Sequence, residues 1–427
     1  MVSFLEELDK ALGNMNGESR KEILDDFTEH FRLARKDGKS DEQIIAALGS
    51  PQSIAEQFLE PDGPNTGRQT STPIGNSQRS EIYYSPDPDA TVNEFDANGV
   101  ERLHIDVNMA EVKIESDPHI QTIKTLIRVS DKKSTFQVFR EGRSVEIIEK
   151  NPYSLFNFPH FFRKPSEVKV FVPAGSRHSI DIGTKFGNIE LYNCSGDQLD
   201  VSCTFGDIRA NSIEFDNLSI NAKAGDVKLE QAPFKRTDIH TSAGEITVSG
   251  CLGILDAHTS AGNVKVKRHG GNVSVRSSAG NVSVDNSEGI IKAHSSAGNV
   301  RIDTLVSEYA EGSSSAGNVN FSAHEVKGLK LTAKTGNAKA QVDRLFGNAE
   351  LSTGAGNVKL DANAVQGDIN ASSGAGTVEV ILPRETAIRV VTRKGVGSLV
   401  NTLSNNEQSP YTLTASSSAG SVKLIGK

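Results

Sequence analysis

The chain has 427 residues with no tryptophan, 36% hydrophobic and 6% aromatic residues, and a formal net charge of −8. This acidic balance argues against a general nucleic-acid-binding protein, because such proteins need an excess of Lys and Arg to displace counterions. The hydrophobic content is too high and too regularly patterned for a disordered chain, and too low for a membrane protein.

The first residues contain acidic side chains where a secretory signal peptide needs an unbroken apolar core. No apolar run approaches the roughly 18 residues of a transmembrane helix. The three cysteines, Cys194, Cys203 and Cys251, do not form the pattern of a disulfide framework. We therefore expect a cytoplasmic protein that can associate with a membrane through its partners.

Residues 1–60 have the pattern of a small all-α bundle of four short helices. Apolar residues recur at helical spacing, and Gly38 and Gly49 suit helix C-termini. Three pairs fit the capping box, namely Ser3 with Glu6, Ser19 with Glu22, and Ser40 with Gln43. The segment holds 7 Lys or Arg against 13 Asp or Glu, so a partner-binding bundle is favoured over a DNA-binding helix-turn-helix.

The same segment, from "FLEELDKAL" through "GKSDEQIIAALGSPQSIA", resembles the HAAS-type signalling domain of bacteria. The resemblance implies an association with PadR-type regulators and membrane stress systems, so we expect signalling or regulatory protein partners. The family is often fused to transmembrane segments, and this chain departs from it by showing none. Residues 61–98 are rich in Pro, Ser, Thr, Asn and Gly and are predicted to be a flexible linker.

A glycine then recurs every 18 to 20 residues, usually inside a motif such as "SSAGNV". These glycines are Gly187, Gly206, Gly225, Gly244, Gly262, Gly280, Gly298, Gly317, Gly336, Gly356 and Gly376. Such a period indicates a solenoid, in which each repeat is one coil that cannot bury its apolar face alone. Apolar residues alternate with polar ones on both sides of each glycine, which predicts two short strands joined by a tight corner.

The fold class expected is therefore mainly β: a parallel β-solenoid with coils of about 19 residues, preceded by the helical bundle. Ten coil-to-coil steps of about 4.8 Å give a rod of roughly 50 Å. Three residues before each glycine the side chain is small, as at Thr259 and Ser277, because a large one would collide with the facing strand. Gly-Asn tolerates the backbone of a tight turn, and stacked Asn side chains can form a ladder. A phosphate cradle is disfavoured, because such a loop opens a helix and here each loop opens a strand.

Neither a catalytic site nor a cofactor is expected. The histidines are scattered without a metal-binding spacing. Asp207, Asp226 and Glu245 replace the corner Asn in three successive coils and are a weak metal candidate, since stacked carboxylates could share a calcium ion. Asp as a turn residue in place of Asn is the favoured interpretation.

The flanks differ from the repeat. Residues 99–178 are predicted to form a β-rich N-terminal part or cap, followed by the repeats and a C-terminal cap in 179–427. The stretch "NPYSLFNFPHFFRKP" at 151–165 exposes many apolar residues in a loop, so it either caps the rod or docks a partner or membrane surface. The candidate docking residues are Tyr153, Leu155, Phe156, Phe158, Phe161 and Phe162.

From about residue 101 to the end, the order of "LHIDVNMAEVKIES", "VKVFVPAG", recurrent "SAGNV" and "GTVEVILP" resembles the Toastrack family of bacterial adhesin-like proteins. The resemblance implies a β-solenoid that serves as a structural or sensing platform in envelope stress systems, without established catalysis. A non-enzymatic scaffold or sensor is therefore the favoured function, with protein partners, peripheral membrane contact and self-association as expected interactions. A surface adhesin exported by an unseen route and a carbohydrate-active enzyme are the alternatives, and nucleic-acid binding is not expected.

Overall fold

The computed structural model describes residues 2–13, 80–83, 90–130, 134–150 and 165–427, together with ten helical residues between 20 and 55. Helix α1 (Val2–Ala11) buries Phe4 and Leu8. Its apolar face packs in one cluster with Phe27, Phe31 and Ala55. Of the predicted four-helix bundle, α1 is the one helix whose bounds fall within the described residues, and the other predicted helices lie mostly outside them. No helix among those residues has the length and apolar character needed to cross a bilayer.

From residue 80 onward the described chain is a mainly parallel β-solenoid of about 13 turns. Seven strands precede the first regular coil, and they are β1 (Ser80–Tyr83), β2 (Thr91–Asp96), β3 (Arg102–Asp117), β4 (Thr122–Arg128), β5 (Thr135–Glu141), β6 (Ser144–Lys150) and β7 (Ser166–Pro173). β1 and β2 lie inside the predicted linker 61–98, so the folded region begins earlier than composition suggests. Ile82 and Phe95 explain the difference, because both pack into the solenoid core.

Each regular coil contributes one strand to sheet A, before the corner glycine, and one to sheet B, after it. In chain order these strands are β8 (Ser179–Phe186), β9 (Ile189–Tyr192), β10 (Ser195–Phe205), β11 (Ile208–Asn211), β12 (Glu214–Ala224), β13 (Val227–Glu230), β14 (Pro233–Ala243), β15 (Ile246–Ser249), β16 (Leu252–Ala261), β17 (Val264–Lys267), β18 (Val273–Ala279), β19 (Val282–Asp285), β20 (Ile290–Ala297), β21 (Val300–Ser307), β22 (Tyr309–Ala316), β23 (Val319–Val326), β24 (Leu329–Thr335), β25 (Ala338–Leu345), β26 (Ala349–Ala355), β27 (Val358–Val365), β28 (Ile369–Ala375) and β29 (Val378–Leu382). The last four strands are β30 (Arg389–Val396), β31 (Leu399–Asn401), β32 (Thr412–Ala419) and β33 (Val422–Gly426).

The predicted register of the repeats is confirmed. Thr259 pairs with Thr241 of the preceding coil and Ser277 of the following one, and Val264 likewise pairs with Ile246 and Val282. Inward residues such as Val264 are fully buried, and burying one valine contributes roughly 1.5–3 kcal/mol. One continuous apolar core therefore runs through the solenoid.

At the N-terminal end the spatial order departs from the chain order. β3 is long enough to serve both sheets, and it lies between the β6–β7 turn and the β8–β9 coil. β5 then pairs antiparallel with β6, and β4 pairs antiparallel with β7. β1 and β2 are outermost, on β5 and β4 respectively. The predicted N-terminal part, 99–178, thus contains the parallel strands β3, β6 and β7 and the antiparallel strands β4 and β5, and β1 and β2 extend both sheets beyond it.

The C-terminal end is also rearranged. β32 and β33, the last strands of the chain, pair with β28 and β29 on one side and with β30 and β31 on the other. The corner glycines accordingly stack in the order Gly376, Gly420, Gly397. The final strands keep the regular apolar pattern and are buried between neighbours, whereas β30 is charged and occupies the end.

Candidate functional site

The glycine corners are the most repeated feature of the surface, and close backbone approach explains them. A Cβ atom built on Gly206 would lie 2.2 Å from the carbonyl oxygen of Gly187, and one on Gly225 would lie 2.0 Å from that of Gly206. No side chain fits at such a distance. Gly206 also has a φ of 144°, a region in which glycine is strongly preferred. The corner is therefore a structural device, as the repetition predicted.

At several corners the small residue three positions before the glycine has a second role that its size alone does not reveal, whereas the hydroxyls of Thr184 and Thr241 in the same column have no hydrogen-bond partner. Ser277 donates its hydroxyl to the carbonyl oxygen of Gly262 at 2.8 Å, and Ser295 donates to Gly280 at 2.7 Å. Thr259 does the same to Gly244 at 3.1 Å. Because these groups are buried and an unpaired buried carbonyl is costly, the hydroxyl stabilises the corner. Ser and Thr are more frequent than Ala in this column. That preference is the sequence signal that could have revealed the hydrogen bond to the corner carbonyl.

The residues after the corner glycines form the predicted ladder. Asn281 Oδ1 accepts the backbone N–H of Asn299 at 2.9 Å, and Asn299 Oδ1 accepts that of Asn318 at 2.9 Å. The side-chain amide of Asn318 also donates to Asn299 at 3.2 Å. Each Asn therefore binds the next coil through its own side chain, and the ladder ties the corners together.

The acidic column that was singled out as a weak metal candidate belongs to this ladder. Asp207 Oδ1 accepts the N–H of Asp226 at 3.0 Å, and Asp226 Oδ1 accepts that of Glu245 at 2.8 Å. Arg209 pairs with the second oxygen of Asp207 at 2.7 Å, and Lys265 pairs with Glu245 at 2.8 Å. The Asp side chains thus act as Asn does elsewhere. Across the described residues, no three His, Cys, Asp or Glu side chains gather into a metal-binding cluster.

The pKa of Glu245 reflects two opposing effects, burial of the carboxylate and its hydrogen bonds to neighbouring side chains. Burial by itself would raise that pKa, but hydrogen bonds from Lys265 and Thr247 outweigh burial, and the pKa is lowered. Glu245 is consequently ionised and already neutralised by a lysine. Calcium binding at Asp207, Asp226 and Glu245 is untested, and Asp as a turn residue in place of Asn remains the favoured interpretation.

The three cysteine side chains are free and buried. Burial raises the pKa of Cys194 to about 12 and that of Cys203 to about 11, and it also raises the pKa of Cys251. A thiol is a good nucleophile only as a thiolate. These three groups are protonated at neutral pH and serve as small core residues.

Histidines gather in one outward column of sheet A. His240, His258, Arg276 and His294 occupy successive coils at the same position. The rings of His240 and His258 lie 6.1 Å apart in an edge arrangement. Burial lowers the pKa of His294, and the charge of Arg276 lowers it further. Strand pairing therefore brings histidines that are separated along the chain into one column.

A second cluster lies on the outer face of sheet A, near the N-terminal end. His104 of β3 stands between Glu146 of β6 and Asp181 of β8. Its Nδ1 lies 3.0 Å from Asp181 Oδ2, which also accepts a hydrogen bond from Arg102 at 2.7 Å. The hydrogen bond with Asp181 raises the pKa of His104, and the same bond lowers the pKa of Asp181. This pair links β3 to β8 on the outer face of the sheet.

Sheet B carries a shallow groove of about 340 Å³ beside the ladder. Its lining is polar and basic, consisting of Asn318, Asn320, Asn337, Ala338, Lys339, Asn357 and Lys359. Lys359 is held by Glu379 at 2.6 Å, so part of its charge is already compensated.

The aromatic stretch is inserted at a corner. β6 and β7 form one turn of the solenoid, and the fifteen residues 151–165 join them. β8 and β9 are joined by only Gly187 and Asn188. Both strands flanking the insertion are paired with β3. The predicted docking residues lie outside the described part of the chain. They are Tyr153, Leu155, Phe156, Phe158, Phe161 and Phe162.

The fold and these surfaces define a class of protein, a parallel β-solenoid with hydrogen-bonded corners that follows a small acidic helical region. The chain belongs to the Toastrack DUF4097 family, because the sequence model of that family matches residues 100–304 and 266–424. Residues 3–57 match the HAAS family. Both matches confirm the resemblances seen in the sequence.

One solved structure similar to this chain is described as a "putative cell adhesion protein" from Clostridium sporogenes. The sequence identity is 11%, and the alignment covers 80% of this chain and 100% of the other. The TM-score is 0.18. No match was found among curated proteins.

Proposed function

We propose that this chain is a non-enzymatic scaffold, which binds a signalling or regulatory protein through its acidic helical region and carries that partner on the solenoid. The observation behind this proposal is the division of α1 into two faces. Phe4 and Leu8 are buried in the apolar cluster, whereas Glu6 and Glu7 are exposed. An exposed acidic face complements a basic patch on a partner and favours rapid association.

Both family matches support protein–protein interaction in general. We also propose that this interaction belongs to a membrane or envelope stress signalling system, as the family resemblance implies. The proposal places the chain in the cytoplasm. Its free cysteines suit a reducing compartment, and cell fractionation with surface proteolysis tests this location.

The partner is best sought with the full-length chain as bait, cross-linked in cells and captured through a C-terminal tag. The variant Glu6→Lys/Glu7→Lys reverses two exposed charges and leaves the buried face of α1 intact. We expect it to lose the partner. The matched control, Glu111→Lys/Glu288→Lys, reverses two exposed charges on the solenoid and should retain it. Equal capture by both variants would contradict the proposal.

A further inference from the structure

Each end of the rod leaves one strand of each sheet with a partner on one side only. At the N-terminal end these strands are β1, paired with β5, and β2, paired with β4. At the C-terminal end they are β30, paired with β32, and β31, paired with β33. Within the described part of the chain no further strand covers these four edges. Free strand edges present backbone groups that can pair with another chain.

The direction of the four strands is the same. β1 is antiparallel to β5, which is antiparallel to β6, so β1 runs in the direction of the coils. β2 runs in that direction for the same reason, through β4 and β7. β30 and β31 are parallel to their neighbours. A second copy placed end to end would therefore continue both parallel ladders.

The outermost strands at the two ends carry opposite charge, although Glu94 of β2 is paired with Lys124 of β4. The eleven residues of β30 and β31 include three basic and no acidic side chains, whereas the ten residues of β1 and β2 include three acidic and no basic ones. They are Arg389, Arg393 and Lys394 at one end, and Glu81, Glu94 and Asp96 at the other. Opposite charges favour contact between unlike ends, and like charges disfavour contact between two C-terminal ends.

Glu81 and Arg393 also occupy corresponding positions in sheet A. Strand pairing across sheet A places Glu81 in the column of Gly183, four residues before a corner glycine. Arg393 occupies the same column, four residues before Gly397. Continuing the ladder from one copy to the next puts the acidic residue beside the basic one.

Sheet B shows the same correspondence with apolar residues. Val92 lies in the column of Glu190, three residues after a corner glycine. Val400 lies three residues after Gly397 in that column. Val92 is 48% exposed and Val400 is 46% exposed, and Val396 beside the last corner is 82% exposed. A junction between copies would cover these side chains.

We propose that copies of this chain associate head to tail, with β30 and β31 of one copy pairing in parallel with β1 and β2 of the next. Arg393 of one copy lies beside Glu81 of the next, and its Val400 lies beside Val92. The two surfaces differ and lie at opposite ends of the rod. The contact therefore does not close as a dimer and extends into a linear polymer.

Sedimentation velocity of the full chain, from micromolar to millimolar concentration, tests this assembly. The mean mass should rise with protein concentration and fall as salt is added. Arg393→Glu and Glu81→Arg should each weaken association by about tenfold or more. The matched control is Arg276→Glu, the same change at the same column position in the middle of the rod, and it should have no effect. Circular dichroism confirms that each variant is folded.

Combining the two substitutions distinguishes head-to-tail association from contact between two like ends. The double variant Glu81→Arg/Arg393→Glu should regain association, because each junction again pairs an acid with a base. An equimolar mixture of the two single variants should also polymerise, since alternating copies restore opposite charges. A chain that stays monomeric throughout the concentration range overturns the proposal. So does association that Glu81→Arg leaves unchanged, which would indicate contact between two C-terminal ends.

Discussion

The α-carbon of Gly262 lies against the carbonyl group of Gly244, so close that a Cβ on Gly262 would be 2.0 Å from the Gly244 oxygen. The φ of Gly262 is 151°. Two independent reasons therefore require glycine: the space for a methyl group is absent, and the backbone conformation disfavours other residues. The contact recurs from coil to coil, so it sets how closely the corners stack.

Replacing Gly262 with alanine should accordingly destabilise the solenoid by at least about 2 kcal/mol, since backbone strain alone costs about 1–3 kcal/mol. Thermal and denaturant unfolding followed by circular dichroism measures the change. The control is Gly183→Ala, where an added Cβ meets only the side chain of Asp106 at 3.4 Å. Equal stability of the two variants would show that the corner accommodates a side chain.

The buried hydroxyl of Ser277 should matter far more than that of its neighbour. Ser277→Ala removes the hydrogen bond to Gly262 and should cost about 1–3 kcal/mol, because the carbonyl stays buried. Ser278→Ala changes an exposed side chain next to it and should be nearly neutral. Denaturant unfolding of the two variants gives the comparison. A neutral Ser277→Ala would mean that smallness alone is required in this column.

Calcium should not stabilise the acidic column. Asp207 and Glu245 are each paired with a basic residue, and Asp226 is used in the ladder. Millimolar calcium should therefore leave the Tm of the chain unchanged relative to a sample with chelator. A rise in Tm that Asp226→Asn abolishes would show instead that the column binds the ion.

The pair of His104 and Asp181 should make stability depend on pH. The pKa of His104 is raised by its bond with Asp181, so its contribution is complete below the unfolded value of about 6.5. That contribution is lost as pH rises through the higher folded value. The pKa of Asp181 is lowered, so its own contribution is lost only in acid, as pH falls through its folded value.

We therefore expect His104→Gln to reduce Tm more at about pH 5.5 than at about pH 9. Thermal unfolding at both pH values measures the difference. His119→Gln, at an exposed histidine in the turn after β3, is the control. A reduction that is the same at both pH values would mean that His104 contributes through packing alone.

The inserted aromatic stretch should behave as a cap or as a docking surface, and one variant separates these roles. Phe158→Ser/Phe161→Ser/Phe162→Ser removes three apolar side chains from the segment between β6 and β7. A clear fall in Tm identifies a cap. Unchanged Tm with loss of partner capture or of binding to anionic liposomes identifies a docking surface. If neither property changes, both interpretations are wrong.

Much of the regular solenoid could be predicted from the sequence, because every coil repeats the same local contacts. The spacing of Gly262 and Gly280 sets the coil length, and the alternation around Val264 sets which side chains face inward. Once one coil is placed, translation by one repeat places the next. The same repetition showed that "SSAGNV" is a corner. It did not show the hydrogen bond from Ser277, which depends on where a hydroxyl points across two coils.

By itself, then, the sequence determined the coil, its interior and the ladder of its corners. The tertiary structure decided the two ends, where β3 enters between later strands and β32 returns between β28 and β30. The physical reason is that pairing of a parallel strand is non-local: each free edge offers the same backbone groups, and the apolar pattern does not say which edge a strand joins. That choice leaves Glu81 at one end and Arg393 at the other, in the same column.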